Sequence, residues 1–274
     1  MHTTMDRERQ PPANLAAAGI SICDLTVGFG SGPPVLQQLS CEVSPGEIVA
    51  LVGASGCGKS TLLRAVANLL QPRSGSITFH SAAAPRRSGD LAYVFQDATL
   101  LPWRTVSENV GLPLELGRGE AMAPGQASRE ERQREAIAAA LQTVGLAQQA
   151  ADQFPRELSG GMRMRTSLAR ALVTDPNVLL LDEPFAALDD LLRTRLNDLI
   201  LQLWTSRRRT IVFVTHNIAE AIFLSHKIAI LAQGVVARSI DNPLPWPRTA
   251  EDRSSLEFAA LYGRVSRALA EVSV

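Results

Sequence analysis

The stretch that decides the fold is Gly46–Val66, GEIVALVGASGCGKSTLLRAV. Gly46 to Gly53 is a near-continuous apolar run, the pattern of a strand buried on both faces, and a glycine-rich turn carries it into a helical pattern. The turn, Gly53–Ser60 (G-A-S-G-C-G-K-S), matches GxxxxGK[ST] and stands where that motif must, between strand and helix. Its glycines let successive backbone N–H groups turn inward around phosphate oxygens, and the helix adds its positive end. Lys59 is expected to reach the β- and γ-phosphates, and Ser60 to offer an oxygen to Mg²⁺. The expected nucleotide-binding set is therefore Gly53, Ala54, Ser55, Gly56, Cys57, Gly58, Lys59 and Ser60, with Thr61 next along. Residue frequencies give roughly one accidental match per hundred chains of this length. The chain holds no lysines besides Lys59 and Lys227, so a lysine at the position the motif demands is informative. A nucleophile elbow with Ser55 or Cys57 as attacking group competes poorly, because GxSxG needs glycine where Cys57 stands.

The second informative stretch is VLLLDEP, Val178–Pro184. Four apolar residues run straight into two carboxylates, so a buried strand delivers acids at its carboxyl edge, where α/β sheets bind ligands. Asp182 is placed to hold Mg²⁺ with Ser60, and Glu183 to orient or deprotonate a water in line with the γ-phosphate. Taken alone, the pair could equally be a strand ending in solvent. With the phosphate loop, the two stretches supply different halves of one Mg-nucleotide site.

Around these, Ile20–Val43 has a broken strand pattern with a turn at Gly30–Pro34, which suits an antiparallel edge sheet. From about Thr105 to Leu172 the chain is rich in Ala, Glu, Gln and Arg at helical spacing, which predicts a helical insertion. Strand-like runs return at Asn177–Leu181, Thr210–Thr215 and Lys227–Leu231, giving an α/β core interrupted by a helical block. After Asp241 come three prolines and an amphipathic helix expected to cover exposed core. Arg207–Arg209 follow a predicted helix, Asp190–Thr205, and are expected to supply charge at its carboxyl end. The division expected is a mobile tail over 1–19, a core over 20–96 and 171–242, a helical subdomain over 97–170, and a carboxyl-terminal helical extension over 243–274.

Composition narrows the partners. The chain's 27 basic and 27 acidic residues cancel, so nothing supplies the phosphate attraction behind most nucleic-acid binding. Cys23, Cys41 and Cys57 suit neither a disulfide framework nor zinc, and a reducing cytosol fits them. The longest apolar runs, such as Ile211–Val214, fall far short of the roughly 20 residues of a spanning helix, so any membrane role is expected to come through a partner.

One further motif makes the chain recognisable. LSGGM, Leu158–Met162, upstream of VLLLDEP, resembles the signature motif of ABC ATPases. The resemblance runs from about Ile20 to Ile240 and implies a RecA-like P-loop core with an antiparallel β edge subdomain and an inserted α-helical subdomain. It identifies Gln96 in YVFQD with the Q-loop, FAALD (Phe185–Asp189) with the D-loop, and His216 in FVTH with the switch histidine. By the same resemblance His216 contacts the γ-phosphate, Gln96 senses Mg²⁺, and Ser159, Gly160, Gly161 and Asp189 act on the nucleotide of a second protomer. Taken without the family, His216 is an ordinary histidine at a strand end. Phe29 falls where the family stacks a ring on adenine, and a core phenylalanine is an equal alternative.

The resemblance implies an ATP- and Mg²⁺-using head-to-tail dimer, of identical or paired subunits. It would be bound peripherally on the cytoplasmic side of the inner membrane to transmembrane permease subunits, with a separate substrate-binding protein. Leu100, Leu101, Trp103 and Arg104 are the expected docking patch, against the alternative of internal packing. LLPW followed by Thr-Val, LSGGMRMR and DEPFAALD look most like the importer branch for nitrate, sulfonates, taurine and thiamine-precursor pyrimidines. Met164 and Ala186 depart from the glutamine and serine common at their positions. The competing classes are an ABC ATPase of DNA repair or translation, which usually carries long coiled coils or tandem domains, and a silent scaffold, which would be expected to lose Lys59, Glu183 or His216.

Overall fold

The computed structural model describes residues 17–81, 90–117, 128–186 and 188–272. Strands β1 (Ala18–Gly28) and β2 (Pro34–Val43) form an antiparallel hairpin across the expected Gly/Pro turn. The chain then crosses to β3 (Ile48–Val52), enters α1 (Lys59–Val66), and returns with β4 (Ser74–Ser81) to pair with β1. Because β1 begins at Ala18, residues 18 and 19 belong to this sheet and not to the expected tail; residues 1–16 lie outside the described residues.

β5 (Leu91–Val94) leads into α2 (Val106–Leu116), α3 (Arg129–Thr143) and α4 (Gly160–Leu172) before the chain re-enters the core at β6 (Val178–Asp182). Then follow α5 (Asp190–Arg207), β7 (Thr210–Val214), α6 (Ile218–Leu224), β8 (Lys227–Ala232), β9 (Val235–Asp241) and α7 (Leu256–Val272). Among the described residues the core sheet runs β5-β6-β7-β3-β8-β9, parallel except for β9. Parallel pairing aims the carboxyl ends of β3, β6 and β7 at one edge, with Asp182 level with Val214 and Leu51 level with Val214.

These three strands are buried throughout, which is why they read as unbroken apolar runs. Val49, Leu51, Leu180 and Val212 pack with the antiparallel sheet and α1, whereas Ile48, Ala50, Leu179 and Phe213 face the other helices. Capping boxes start two insertion helices, Thr105 with Glu108 on α2 and Ser128 with Glu131 on α3. α7 buries Phe258, Leu261 and Val265 against the core, as its amphipathic pattern requires.

The arginine run does more than complement the end of α5. Arg207 and Arg209 both pair with Asp175, and Arg208 adopts the left-handed capping conformation with its guanidinium 3.8 Å from the Trp204 ring centre. Asp175 follows α4 and lies far away in sequence, so the local pattern held no sign of it.

Candidate functional site

The glycine-rich turn is built by backbone demands. Gly53 sits at φ +153°, and a Cβ there would stand 2.3 Å from the Leu231 carbonyl; Gly58 sits at φ +107° against Leu36. Neither position accepts a side chain, which fixes the spacing of the motif. Gly58 opens α1 with no side-chain cap, leaving first-turn amides without an intrahelical acceptor, an arrangement able to receive an anion. Lys59 is 7% exposed, and its ammonium donates to the carbonyls of Gly53 and Ala54, both at 2.9 Å. The lysine thereby holds the turn closed around itself, with its charge beside the amides. Cys57 packs beside the core beneath the turn.

Ser60, one residue into α1, donates its hydroxyl to Asp182 Oδ1 at 2.7 Å. The other oxygen of Asp182 accepts from the Tyr93 hydroxyl at 2.8 Å. Burial, reinforced by the Asp182 carboxylate, pushes the Tyr93 phenol well above its ordinary range, so it stays a donor. Asp182 is 3% exposed with both oxygens engaged by hydroxyls. Ser60 and Asp182 are hard oxygen donors of the kind Mg²⁺ takes alongside phosphate oxygens. Sequence reasoning missed Tyr93, because a tyrosine inside a short strand carries no local signal.

Glu183 follows at φ +46°, a left-handed conformation that turns it away from the strand line. Its Oε2 lies 3.6 Å from His216 Nδ1; the histidine side chain is largely exposed and the glutamate half-buried. Both face a small pocket also lined by Phe185, Arg193, Thr215 and Glu220. Glu220 is buried, accepts from the Thr215 hydroxyl at 2.5 Å, and pairs with Arg193 Nε at 3.2 Å. Burial raises its carboxyl above the usual range, while the Thr215 hydrogen bond and then Arg193 pull the other way. Arg193, Thr215 and Glu220 were likewise invisible to motif reasoning.

The structure thus gathers Gly53–Thr61, Asp182, Glu183 and His216 at the carboxyl edge of β3, β6 and β7. Gln96 stands exposed just past β5, which pairs with β6 through Val94 and Leu181. The segment after it is pinned from two sides. Arg170 on α4 donates to the carbonyls of Ala98 and Thr99, and buried Asn109 holds Leu101 and the Arg104 carbonyl.

Ser159, Gly160 and Gly161 open α4 elsewhere, in the helical segment. Ser159 and Gly160 are exposed, the Ser159 hydroxyl accepts from the Met162 amide, and Gly161 packs on Leu192 of α5. Asp189 caps α5 by accepting from the Leu192 amide at 2.9 Å, a structural duty not foreseen for it. Ala187 of the same motif lies outside the described residues. Phe29 is 53% exposed, which removes the alternative of a core side chain. In the expected docking patch, Trp103 is exposed, Leu100 packs on the core and Arg104 forms a two-pronged ion pair with Glu115 at 2.8 Å. Met164 is buried in the core, where a methionine packs readily.

Comparison with known proteins places the chain in a family. The family described as "ABC transporter" matches residues 36–186. An "Aliphatic sulfonates import ATP-binding protein SsuB 1" of Burkholderia lata is 42% identical over 257 residues, covering 94% of this chain and 74% of that protein. A "Putative ATP-binding protein" of Brucella abortus biovar 1 is 39% identical over 252 residues, covering 91% and 93%. Among solved structures, the ATP-binding cassette MJ0796, in a dimeric post-hydrolysis state bound to ADP and Pi, superposes with TM-score 0.71 at 28% identity, covering 82% of this chain and all of that one. The chain belongs to the ABC transporter family, as an ATP-binding and ATP-hydrolysing subunit.

Proposed function

We propose that two copies of the nucleotide-binding subunit, identical or paired, close head to tail on Mg-ATP and drive an importer of small anions, with aliphatic sulfonates the leading cargo. The observation that carries this reading is the meeting of Ser60, Asp182 and Glu183 beside the Lys59 turn. In it the α1 amides and Lys59 bind the phosphates, and Ser60 and Asp182 hold Mg²⁺, which screens charge on the phosphate oxygens when bound. Glu183 takes a proton from the attacking water, with His216 beside it to position the γ-phosphate end. Phe29 offers its exposed ring to the adenine. The exposed Ser159 turn and the amides of Gly160 and Gly161 give a second anion site, directed at the nucleotide of the other copy. Asp189 lies at that same interface, and Gln96 reports the state of the metal site to the helical segment.

Among the described residues no helix is long and apolar enough to cross a membrane, so transport requires separate permease subunits, met at the cytoplasmic face. An open groove between β5 and the helical segment, lined by Tyr93, Phe95, Leu101, Leu112, Arg129 and Arg170, suits a short helix of such a subunit. Exposed Trp103 stands on the segment just after Gln96. The sulfonate assignment draws on the names of the relatives, and selectivity would rest with the permease and a separate substrate-binding protein.

The test is Glu183→Gln, which keeps shape and removes the base. Hydrolysis should fall by roughly 10²- to 10⁴-fold, and ATP should shift the variant from monomer to dimer on sizing. Brisk turnover would defeat the role of Glu183, and an ATP-loaded monomer would defeat the sandwich. For the cargo, reconstitution with its permease subunits and a substrate-binding protein should give ATP-dependent uptake of an alkanesulfonate, and uptake that ignores alkanesulfonates would defeat that assignment.

A further inference from the structure

Arg193 stands in the first turn of α5 and makes three separate contacts. Nη1 donates to Asp190 Oδ1 at 2.8 Å, Nη2 to the Leu188 carbonyl at 3.1 Å, and Nε faces Glu220 Oε1 at 3.2 Å. The first two contacts hold the turn that leads into α5, on either side of Asp189. The third reaches a different element, α6, whose buried Glu220 also receives the Thr215 hydroxyl. Thr215 in turn accepts from the Asn217 amide at 3.0 Å, and Asn217 caps α6 by accepting from the amides of Ala219 and Glu220. Both neighbours of His216 are thus tied to Glu220, and Glu220 is tied to the turn before α5.

A buried carboxylate is expensive unless paired, and one partner would meet that need. Here it spans two loops that flank the same pocket as Glu183 and His216. From the other side Arg253, before α7, lays its guanidinium 3.7 Å from the Phe223 ring centre, so α6 is gripped on both flanks. A planar guanidinium with three directed donors suits such a junction, because its contacts move together.

We propose that Arg193, Glu220 and Thr215 are positioning residues for hydrolysis: they fix the His216 loop to the turn around Asp189, so that the placement of that turn sets the placement of the histidine. This rests on the reading of Glu183 and His216 as the hydrolytic pair. In that reading the Asp189 turn faces the second copy, and the link carries the arrival of that copy to the hydrolytic pair within the same chain.

The experiment compares ATP hydrolysis by the full chain carrying Arg193→Met, Glu220→Gln, both together, Thr215→Ser or Thr215→Val, with binding of a non-hydrolysable ATP analogue measured alongside. Each of the first two should lower kcat about tenfold while KM and analogue affinity stay within threefold, and the double variant should be no worse than the worse single, since one link is broken once. Thr215→Ser should keep parental turnover and Thr215→Val should lose it. Effects that multiply in the double variant, losses confined to binding, or parental kcat in Thr215→Val would each overturn the link. If Glu220→Gln does not fold, the threonine pair decides alone. His216→Ala separates the two levels. Should it hydrolyse at the parental rate, the hydrolytic reading itself fails; should it be inert while the Arg193 and Thr215→Val variants are parental, this link alone fails.

Discussion

Ser60 donates to Asp182 at 2.7 Å across 122 residues of sequence, joining the first turn of α1 to the end of β6. The same carboxylate receives Tyr93 on its other oxygen, so two hydroxyls fix the plane in which it faces a cation. Tyr93→Phe removes one of them and leaves a nearly buried oxygen without its donor. A lost hydrogen bond to a charged group is worth about 1.5–3 kcal/mol, and part returns through water. We expect the Mg²⁺ concentration for half-maximal ATP hydrolysis to rise about 3- to 30-fold, with the limiting rate less affected. An unchanged Mg²⁺ titration would show that Ser60 alone orients the carboxylate.

Phe29 offers a half-exposed ring at the end of β1, on a turn that Arg73 pins by donating to the carbonyls of Gly30 and Gly32 at 2.9 and 2.8 Å. A ring held by a rigid turn suits stacking on a base, worth about 1 kcal/mol. Phe29→Ala should therefore raise KM for ATP about fivefold with kcat little changed, and Phe29→Tyr should restore it. A parental KM in the alanine variant would leave the ring without a part in binding.

What the sequence made legible is what chemistry demands at fixed spacing. The glycine turn, Lys59 and the Asp182–Glu183 pair each announce themselves within a few residues, and the buried strands beneath them read as apolar runs. Groups whose meaning depends on a distant partner did not. Tyr93 matters because it meets Asp182, 89 residues away, and Glu220 because it meets Arg193. Arg209 is buried against Asp175 and the Pro176 carbonyl, contacts that no periodicity encodes. Phe29 read equally well as core or as surface, and packing around a strand end decided it.

The segment between β9 and α7 is fixed to the end of α6 through Arg248, a buried guanidinium. Its Nη1 donates to the carbonyls of Ile222, Phe223 and Ser225 at 2.7, 3.1 and 2.7 Å, at the end of α6 where carbonyls have no intrahelical partner. Burial lowers its pKa to about 9, which leaves it charged at neutral pH. Arg248→Met strips these acceptors of a charged donor, although Asn242 still serves two of them. A loss of about 2–3 kcal/mol follows, or a fall in melting temperature of roughly 4–12 °C for a domain of this size. A shift under 2 °C would mean that Asn242 suffices.

His226 gives stability a dependence on pH. Its ring stacks on Trp246 at 4.3 Å and packs against Trp204 at 4.8 Å, and its Nδ1 accepts from the Ile48 amide at 3.0 Å. An imidazole that accepts there must be neutral at Nδ1. Burial first, and then the positive charges of Arg248 and Arg208, lower its pKa to about 3. In the unfolded chain the ring titrates near 6.5. Between those values the unfolded state binds the proton and the folded state does not, so acid favours unfolding. The contribution is complete above pH 6.5 and declines as pH falls through that window, by at most about 1.4 kcal/mol per unit. Lowering pH from 7.5 to 5.0 should thus remove up to about 2 kcal/mol through this residue, or roughly 4–8 °C in melting temperature. His226→Asn keeps an acceptor for Ile48 and does not titrate, so its melting temperature should fall less over the same range by that amount. Parallel pH profiles for parent and variant would show that the acid sensitivity of the fold lies elsewhere.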